Sequence, residues 1–351
     1  MSIDAGPASW LLILGGLAAL LTGAELVVRS GSRLALAFGV PPMVVGLTIV
    51  SIGTSAPELA IGIDAVRQGN DGLAVGNIVG TNLVNLLLVL GLSALIAPIL
   101  LDRRTRRVDL PVSVGVVLLL FVLALDGELS RGEGIVLLAV GLAYTAEILL
   151  SSRRQRVAAS VAGSPGAGGA SGTQPRPVTD PRPDPMLEPD TAPAPASSPV
   201  RRLADLALLV AGIAVILFGA DLLVRGASDA ARSLGVSDAV IGLTVIAIGT
   251  SAPELVTTLV STVRGQRDLA IGNLIGSSVY NIAIVLGTVA VVATGGLTVP
   301  AEVLAGDLLL LVAVSIVTVP VFWSGHRISR LEGGLFVASY AGYLGWLLVR
   351  A

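Results

Sequence analysis

Long apolar runs separated by short polar segments dominate this 351-residue chain. A helix that crosses a membrane needs about 20 consecutive, mostly apolar residues, and ten runs come close to that length. The pattern therefore predicts an all-α integral membrane protein with ten transmembrane helices. They lie near residues 9–28, 42–65, 73–97, 109–126, 133–151, 203–224, 239–262, 269–293, 302–322 and 331–349.

The segment between the fifth and sixth apolar runs has a different composition. Residues 152–201 contain 10 of the 19 prolines, together with clustered glycine, alanine and serine. Such a segment cannot bury enough apolar surface to form a packed core. We therefore predict three parts: a five-helix unit at 1–151, a disordered Pro-rich linker at 152–201 and a second five-helix unit at 202–351.

The two five-helix units carry the same sequence motif, 196 residues apart. Residues 46–59 (GLTIVSIGTSAPEL) match residues 242–255 (GLTVIAIGTSAPEL) at 11 of 14 positions without a gap, and the pair Gly76-Asn77 matches Gly272-Asn273 in the same register. Because five helices per unit is an odd number, the second unit enters the membrane from the opposite side. This predicts two inverted repeats, an arrangement typical of secondary transporters.

Composition narrows the possible chemistry. The chain is 54% hydrophobic and 13% charged, with a mean hydropathy of +0.88, which excludes an ordinary soluble enzyme. It has no cysteine and one histidine, so thiolate and His-rich metal sites are excluded. The net charge of −2 gives no reason to expect a nucleic-acid partner, and no obligate protein partner is evident. Any bound ion is expected to be held by oxygen.

Arginine counting predicts the orientation. All 22 basic residues are arginine, and 17 of them fall in or near the loops on one side of the predicted membrane, against 5 on the other. We call the side with 17 the arginine-rich face. Under the positive-inside rule this face is cytoplasmic. We therefore expect a multi-pass protein of the plasma membrane, with both termini outside and the linker in the cytoplasm.

Two carboxylates stand in the middle of matching spans. Glu58 and Glu254 follow the same G-T-S-A-P sequence and are flanked by apolar residues. An ionised carboxylate at that depth is costly unless a cation or proton compensates it. The preceding Pro57 and Pro253 each lack an N–H donor and so free carbonyl oxygens of the helix. This pattern predicts a functional site rather than a packing feature.

Further oxygens recur around these carboxylates at helical spacing. In the second and seventh spans the hydroxyls precede each Glu by four and three residues; in the third and eighth spans a hydroxyl and an amide lie four residues apart. They are Thr54, Ser55, Thr250 and Ser251, then Thr81, Asn85, Ser277 and Asn281. Such an oxygen-only set suits a hard cation of the calcium type, and sodium can occupy the same oxygens. We expect Ca²⁺ and Na⁺ as transported ions and no cofactor.

The repeated G-T-S-A-P-E motif, followed by G-N and then G-[ST]-x-x-x-N, resembles the sodium/calcium exchanger family, in particular its prokaryotic ten-helix members. The resemblance covers the chain apart from 152–201. It implies Ca²⁺/Na⁺ antiport by alternating access around a midplane site. It also implies roles for the site residues. Glu58 and Glu254 would be the central calcium ligands, with the carbonyls of Thr54 and Thr250 beside them and Asn85 and Asn281 completing the cage. Ser55 and Ser251 would lie at sodium sites, and the peripheral sodium ligands would be the backbone oxygens of Ser51 and Ala247 and the hydroxyls of Thr81 and Ser277.

Three alternatives remain open from the sequence. In a proton/calcium antiporter, Glu58 and Glu254 would titrate instead of exchanging cations. Potassium-dependent relatives carry Asp where this chain has Asn281, which argues against potassium co-transport. An intramembrane enzyme with Ser55 or Ser251 as nucleophile would need a nearby base, but the only histidine, His326, lies at the predicted edge of the tenth span and no G-x-S-x-G turn surrounds either serine.

Overall fold

A computed structural model of the protein describes residues 7–162, 198–236, 241, 245, 247–323 and 327–350. Most of the predicted linker, residues 163–197, and His326 lie outside the described residues, as does most of the first part of the seventh span. The described residues form ten helical runs, short turns and four two-residue strands. The fold is the predicted one, an all-α membrane protein.

We number the helices in chain order. They are α1 (Pro7–Phe38), α2 (Pro42–Arg67), α3 (Asp71–Ile96), α4 (105–123), α5 (Arg131–Ala162), α6 (Pro199–Ser233), α7 (Ala247–Thr250 with Ala252–Val263), α8 (Arg267–Val292), α9 (Val303–Trp323) and α10 (Arg330–Arg350). Within the described residues, seven of them are long and apolar enough to cross a membrane by length and composition.

Three helices run well past the predicted boundaries. Helix α1 continues ten residues beyond the predicted end at Val28, and α6 continues to Ser233 rather than 224. Their arginines pair one turn apart with acids of the same helix, Arg29 with Glu25 at 2.5 Å and Arg225 with Asp221 at 2.9 Å, so these segments remain helical where the apolar run ends. Helix α5 extends past 151 to Ala162, because no glycine or proline interrupts it before Gly163.

The turns repeat with the same 196-residue offset as the sequence motif. Gly39 and Gly235 follow α1 and α6 with φ of 61° and 79°, and Gly69 and Gly265 follow α2 and α7 with φ of 71° and 74°. Glycine adopts these left-handed backbone angles without the steric cost that a Cβ imposes. The corresponding helices of the two halves therefore end in the same way.

Two short antiparallel ribbons join the halves at opposite faces. Strand β1 (Ile99–Leu100), between α3 and α4, pairs with β4 (Arg327–Ile328), between α9 and α10. Strand β2 (Glu128–Leu129), between α4 and α5, pairs with β3 (Leu297–Thr298), between α8 and α9. Each ribbon thus takes one strand from each half, as expected of repeats related by an in-plane two-fold axis.

The helices pack around two apolar clusters. The larger one is formed by α3, α4, α5, α8, α9 and α10, and the smaller one lies where α1 and α6 pack along each other and against α2 and α7. Helices α1 and α6 meet through glycines: a Cβ on Gly16 would lie 2.8 Å from the Gly219 carbonyl, and one on Gly219 would lie 2.9 Å from the Gly16 carbonyl. This small-residue contact is common between membrane helices. Helices α2, α3, α7 and α8 lie at the centre.

Candidate cation site

The repeated motif breaks its helix at the same residue in both halves. Ser55 has φ −83° and ψ 5°, and Ser251 has φ −86° and ψ 2°. A new helical segment starts directly afterwards, so Glu58 and Glu254 each lie in a first helical turn. The N–H groups of a first turn carry partial positive charge, which favours a carboxylate there. The local fold thus offsets part of the cost of two acids in the membrane.

Both carboxylates are buried without a partner. Glu58 and Glu254 have 0% exposure, and none of their four oxygens has a hydrogen-bond partner among the described residues. Glu254 lies close enough to Glu58 for electrostatic repulsion, and close to the side chains of Thr54 and Ser55, although without hydrogen-bond geometry. Two unpaired acids at one place in a membrane are costly unless cations or protons compensate their charge.

Helices α3 and α8 bring amide and hydroxyl oxygens from the two halves. Asn85 and Asn281 are fully buried, and neither amide group has a partner among the described residues. Each asparagine lies in a π-helical turn, Asn85 as the second residue of 84–89 in α3 and Asn281 as the first residue of 281–286 in α8. Such turns inside helices frequently mark functional sites. Thr81 and Ser277, one turn earlier, are also buried.

A hydrogen-bond network connects α2, α8 and α7 beside the carboxylates. The Thr54 hydroxyl lies 3.4 Å from Ser277 Oγ and 3.4 Å from Asn273 Oδ1, while Asn273 Nδ2 donates to Thr258 Oγ1 at 3.1 Å. The Ser51 hydroxyl donates to the Asn273 carbonyl at 3.0 Å. These hydrogen bonds between helices hold the Thr54 hydroxyl in position close to Glu254.

Glycines let α2 and α8 approach backbone to backbone. A Cβ on Gly46 would lie 2.6 Å from the Leu269 carbonyl, and one on Gly272 would lie 2.5 Å from the Met43 carbonyl. A Cβ on Gly276 would collide with the Ser51 hydroxyl. The glycines of the repeat are therefore required for the contact that joins the halves at the site.

The structure gathers most of the residues that the sequence singled out. Glu58, Glu254, Thr54, Ser55, Thr250, Ser251, Ser51, Thr81, Ser277, Asn85 and Asn281 are all buried on the four central helices. Ala247 begins the described part of α7, and the placement of its side chain is not described. The Ser51 carbonyl accepts from Ser55 N at 3.1 Å and from the Thr54 hydroxyl at 3.3 Å. If the Ser51 carbonyl bound sodium, it would lose its hydrogen bond from the Thr54 hydroxyl and contact the ion instead.

Sequence reasoning missed Asn273. The pair Gly272-Asn273 was recognised only as part of the repeat, yet Asn273 is fully buried and bridges Thr54 of the first half to Thr258 of the second. The available signal was the recurrence of an asparagine, Asn77, at the matching position in the first half. A buried amide repeated in both halves is a site candidate in the same way as the repeated Glu.

Replacing Asn273 tests this bridge. We expect Asn273→Ala to lower the rate of ion transport at subsaturating substrate by about tenfold, since leaving buried partners unsatisfied costs about 1–3 kcal/mol. Asn82→Ala is the matched control, because Asn82 is equally buried but donates only to the Ile78 carbonyl of its own helix, at 2.8 Å. Equal loss in the two variants, measured as uptake into proteoliposomes, would show that the bridge has no special role.

The donor set fits a hard cation. Its members are carboxylate, amide, hydroxyl and carbonyl oxygens, which Ca²⁺ and Na⁺ accept. Within the described part of the chain no group of three or more His, Cys, Asp or Glu side chains could hold a metal ion, and the buried acids at this site are Glu58 and Glu254. Fold and site together define an inverted-repeat membrane protein with a buried acidic site where the repeats meet.

Comparison with known proteins identifies the family. The family model for "Sodium/calcium exchanger protein" matches residues 8–149 and 205–349, and the chain belongs to this family. It is 32% identical to the "Putative antiporter CaxA" of Alkalimonas amylolytica over 95% of this chain and 96% of that protein. It is 30% identical to the "Sodium/calcium exchanger MaX1" of Methanosarcina acetivorans over 96% and 97%.

A solved structure shares the architecture. The sodium/calcium exchanger from Methanococcus jannaschii superposes with a TM-score of 0.76 at 28% sequence identity, covering 96% of this chain and 98% of that one. This agreement confirms the predicted ten-helix fold with inverted repeats.

Proposed function

We propose that this protein is a secondary antiporter that exchanges Ca²⁺ for Na⁺ across the membrane. The observation that carries the proposal is the pair Glu58 and Glu254, one from each inverted repeat, both fully buried, within range of mutual electrostatic repulsion and without hydrogen-bond partners among the described residues. Membership of the sodium/calcium exchanger family supports the choice of ions. The two carboxylates would be the central Ca²⁺ ligands.

Charge neutralisation explains why such a site exchanges ions. One Ca²⁺ or two or more Na⁺ can compensate the two carboxylates, and either occupant excludes the other. An empty site with both carboxylates ionised would carry two uncompensated charges through the membrane interior during reorientation, which costs several kcal/mol or more. Only loaded states therefore change the side to which they open, and this couples the two ion movements.

The roles of the surrounding oxygens follow from their positions. Asn85 and Asn281, one from each half, are buried amides without a hydrogen-bond partner among the described residues, so we assign their oxygens to the central site. The pairs Thr54 with Ser277 and, by the repeat, Thr250 with Thr81 would bring hydroxyls to flanking sites for Na⁺, together with Ser55, Ser251 and the backbone oxygens of Ser51 and Ala247. Ca²⁺ commonly takes six to eight oxygens, a number that two halves can supply together.

The direction of transport rests on the predicted orientation. We place the arginine-rich face, which includes the β1–β4 ribbon, in the cytoplasm. The inward Na⁺ gradient would then drive Ca²⁺ out of the cell. Both termini would be outside, and the segment between α5 and α6 would be cytoplasmic.

Flux into proteoliposomes tests the proposal against proton coupling. We expect an outward Na⁺ gradient to drive ⁴⁵Ca²⁺ uptake, and a pH gradient alone to drive none. Uptake should also respond to membrane potential, because an exchange of more than two Na⁺ per Ca²⁺ moves net charge. Uptake driven by the pH gradient and not by Na⁺ would establish the proton/calcium antiporter instead.

Potassium dependence is tested in the same vesicles. Because Asn281 offers a neutral oxygen where potassium-dependent relatives have a carboxylate, we expect Na⁺-driven Ca²⁺ uptake to proceed at full rate without K⁺. Asn281→Asp adds a third negative charge to the site and supplies the comparison. A wild-type rate that rises from zero only when K⁺ is added would contradict the two-acid site.

The enzyme hypothesis has a separate test. The family is one of exchangers, and Ser55, which with Ser251 is a candidate nucleophile, lies close to Glu254. We expect Ser55→Ala to retain Ca²⁺ uptake, with altered Na⁺ dependence, while Glu254→Gln loses it. The opposite pattern would support a serine nucleophile.

A further inference from the structure

Hydroxyl side chains continue beyond Glu254 along one face of α7. Thr257, Thr258, Ser261 and Thr262 follow Glu254 by three, four, seven and eight residues, so they lie on the same side of the helix. All four are buried. We call them the hydroxyl ladder. The neighbouring Val256 and Val260 instead pack into the apolar cluster beside α1 and α6.

Half of the ladder has no hydrogen-bond partner. Thr257 Oγ1 and Ser261 Oγ are fully buried and unpartnered among the described residues. Thr262 donates to the Thr258 carbonyl at 2.8 Å, and Thr258 accepts from Asn273, so these two are satisfied. An unpaired buried hydroxyl costs free energy that an apolar side chain of the same size would avoid. Packing therefore does not explain the two unpaired hydroxyls.

A third unpartnered hydroxyl faces the ladder from α3. Ser93 is fully buried, has no partner among the described residues, and lines a cavity of about 10 Å³ together with Thr258, Thr262 and Arg267. A cavity of that size, about one probe sphere, is at the lower limit for holding one water molecule. It lies where α3 and α7 end, at the arginine-rich face. The polar surface thus extends from Glu254 towards that face.

The other half of the protein lacks these hydroxyls. The residues that match the ladder at the 196-residue offset are Ile61, Gly62, Ala65 and Val66, and Val289 matches Ser93. Val289 fills the space beside Gly62, since its side chain would lie 2.7 Å from a Cβ there. The same fold position is therefore closed by apolar packing. Because the inverted repeat tolerates apolar side chains at these places, the hydroxyls of α7 serve a purpose that the fold does not require.

We propose that the hydroxyl ladder is the route by which cations pass between the central site and the arginine-rich face. Hydroxyl oxygens spaced along the helix would replace water molecules that a cation sheds on leaving the aqueous phase. In the present conformation the route is closed around a cavity of about 10 Å³, and it would widen when the site opens to that face. The proposal rests on the proposed exchange function and adds to it a route that leads from the central site to one face of the membrane.

Single cysteines test the route directly, because the chain has no cysteine of its own. Ser261→Cys and Ala65→Cys are small changes at matching positions of the two halves, and Thr257→Cys is a second ladder variant. Each variant is reconstituted with known orientation and exposed, from either face, to a membrane-impermeant cationic methanethiosulfonate. We expect Ser261→Cys to react from the arginine-rich face at least about tenfold faster than Ala65→Cys reacts from either face, since buried thiols are inert.

Calcium supplies the second measurement. We expect Ca²⁺ to slow the reaction of Ser261→Cys and Thr257→Cys, because an ion on the route excludes the reagent. If Ser261→Cys and Ala65→Cys react at similar rates, each from its own face, the route follows from the repeat alone and the ladder has no part in it. No reaction of either ladder variant in protein that still transports would also overturn the proposal.

The exchange function is tested separately in the same vesicles. Wild-type protein without Na⁺-driven ⁴⁵Ca²⁺ uptake would refute the proposed function. The ratio of labelling rates at Ser261→Cys and Ala65→Cys would still report whether a hydrated route follows α7. The two failures are therefore distinguishable.

Discussion

Glu254→Gln is expected to reduce Na⁺-driven Ca²⁺ uptake by more than about a hundredfold, and Glu58→Gln to do the same. Each carboxylate is fully buried within range of electrostatic repulsion from the other, and neither has a hydrogen-bond partner among the described residues that could replace the lost charge. Removing one member of a buried charged group costs about 3–5 kcal/mol, which corresponds to a factor of more than a hundred in binding. Glutamine keeps the size of the side chain, so the effect reports on charge.

Folding must be shown to survive the substitution. An amide is cheaper to bury than an unpaired carboxylate, so the melting temperature of Glu254→Gln in detergent should equal or exceed that of the wild type in the absence of Ca²⁺. Added Ca²⁺ should stabilise the wild type and leave the variant unchanged. Glu302→Gln, at an exposed residue just before α9, is the control and should transport normally. Wild-type uptake by Glu254→Gln would show that the two-carboxylate site is wrong.

Gly272→Ala is expected to lower both stability and transport. The new Cβ would lie 2.5 Å from the Met43 carbonyl and 3.0 Å from the Leu47 backbone nitrogen, and neither backbone atom can move without separating α2 from α8. Overpacking of this kind costs about 1–3 kcal/mol. The separation would also pull Ser277 and Asn273 away from Thr54, so the flanking part of the site would loosen.

Gly115→Ala provides the matched control for that experiment. Gly115 lies in α4, and a Cβ there would meet none of the described residues within 4 Å. Alanine should therefore be neutral or slightly stabilising at this position, because it is the better helix former. Melting temperatures in detergent and uptake rates in vesicles would be compared for both variants. Equal behaviour of Gly272→Ala and Gly115→Ala would contradict the close contact between α2 and α8.

Much of the architecture could be predicted because lipid imposes simple rules. A crossing helix must be long and apolar, so ten spans were visible as apolar runs, and the repeat with an odd number of spans per half predicted inversion. The helix ends were predicted less well. Helices α1 and α6 continue through pairs such as Glu25 with Arg29, which hydropathy alone counts as polar and therefore outside the span.

The candidate site was also largely predictable, for a related reason. Polar residues are so costly inside a membrane that Glu58, Glu254 and the amides of Asn85 and Asn281 stood out against apolar neighbours. Asn273 was missed because its importance depends on partners from two other helices, Thr54 and Thr258. The ladder residues were missed because threonine and serine can back-bond within a helix, and sequence does not show which ones lack a partner.

The sequence by itself determined that this protein is a membrane protein and that it consists of two inverted halves, and it predicted that each half contributes one acid to a site lined by oxygen. Those properties follow from length, hydropathy and repetition, which are local features of the chain. Only the tertiary structure decided that the two acids lie within range of mutual repulsion, that glycines bring α2 against α8 and that the face of α2 matching the hydroxyl ladder is packed against Val289. These depend on distances between residues about 200 positions apart, which no local pattern encodes.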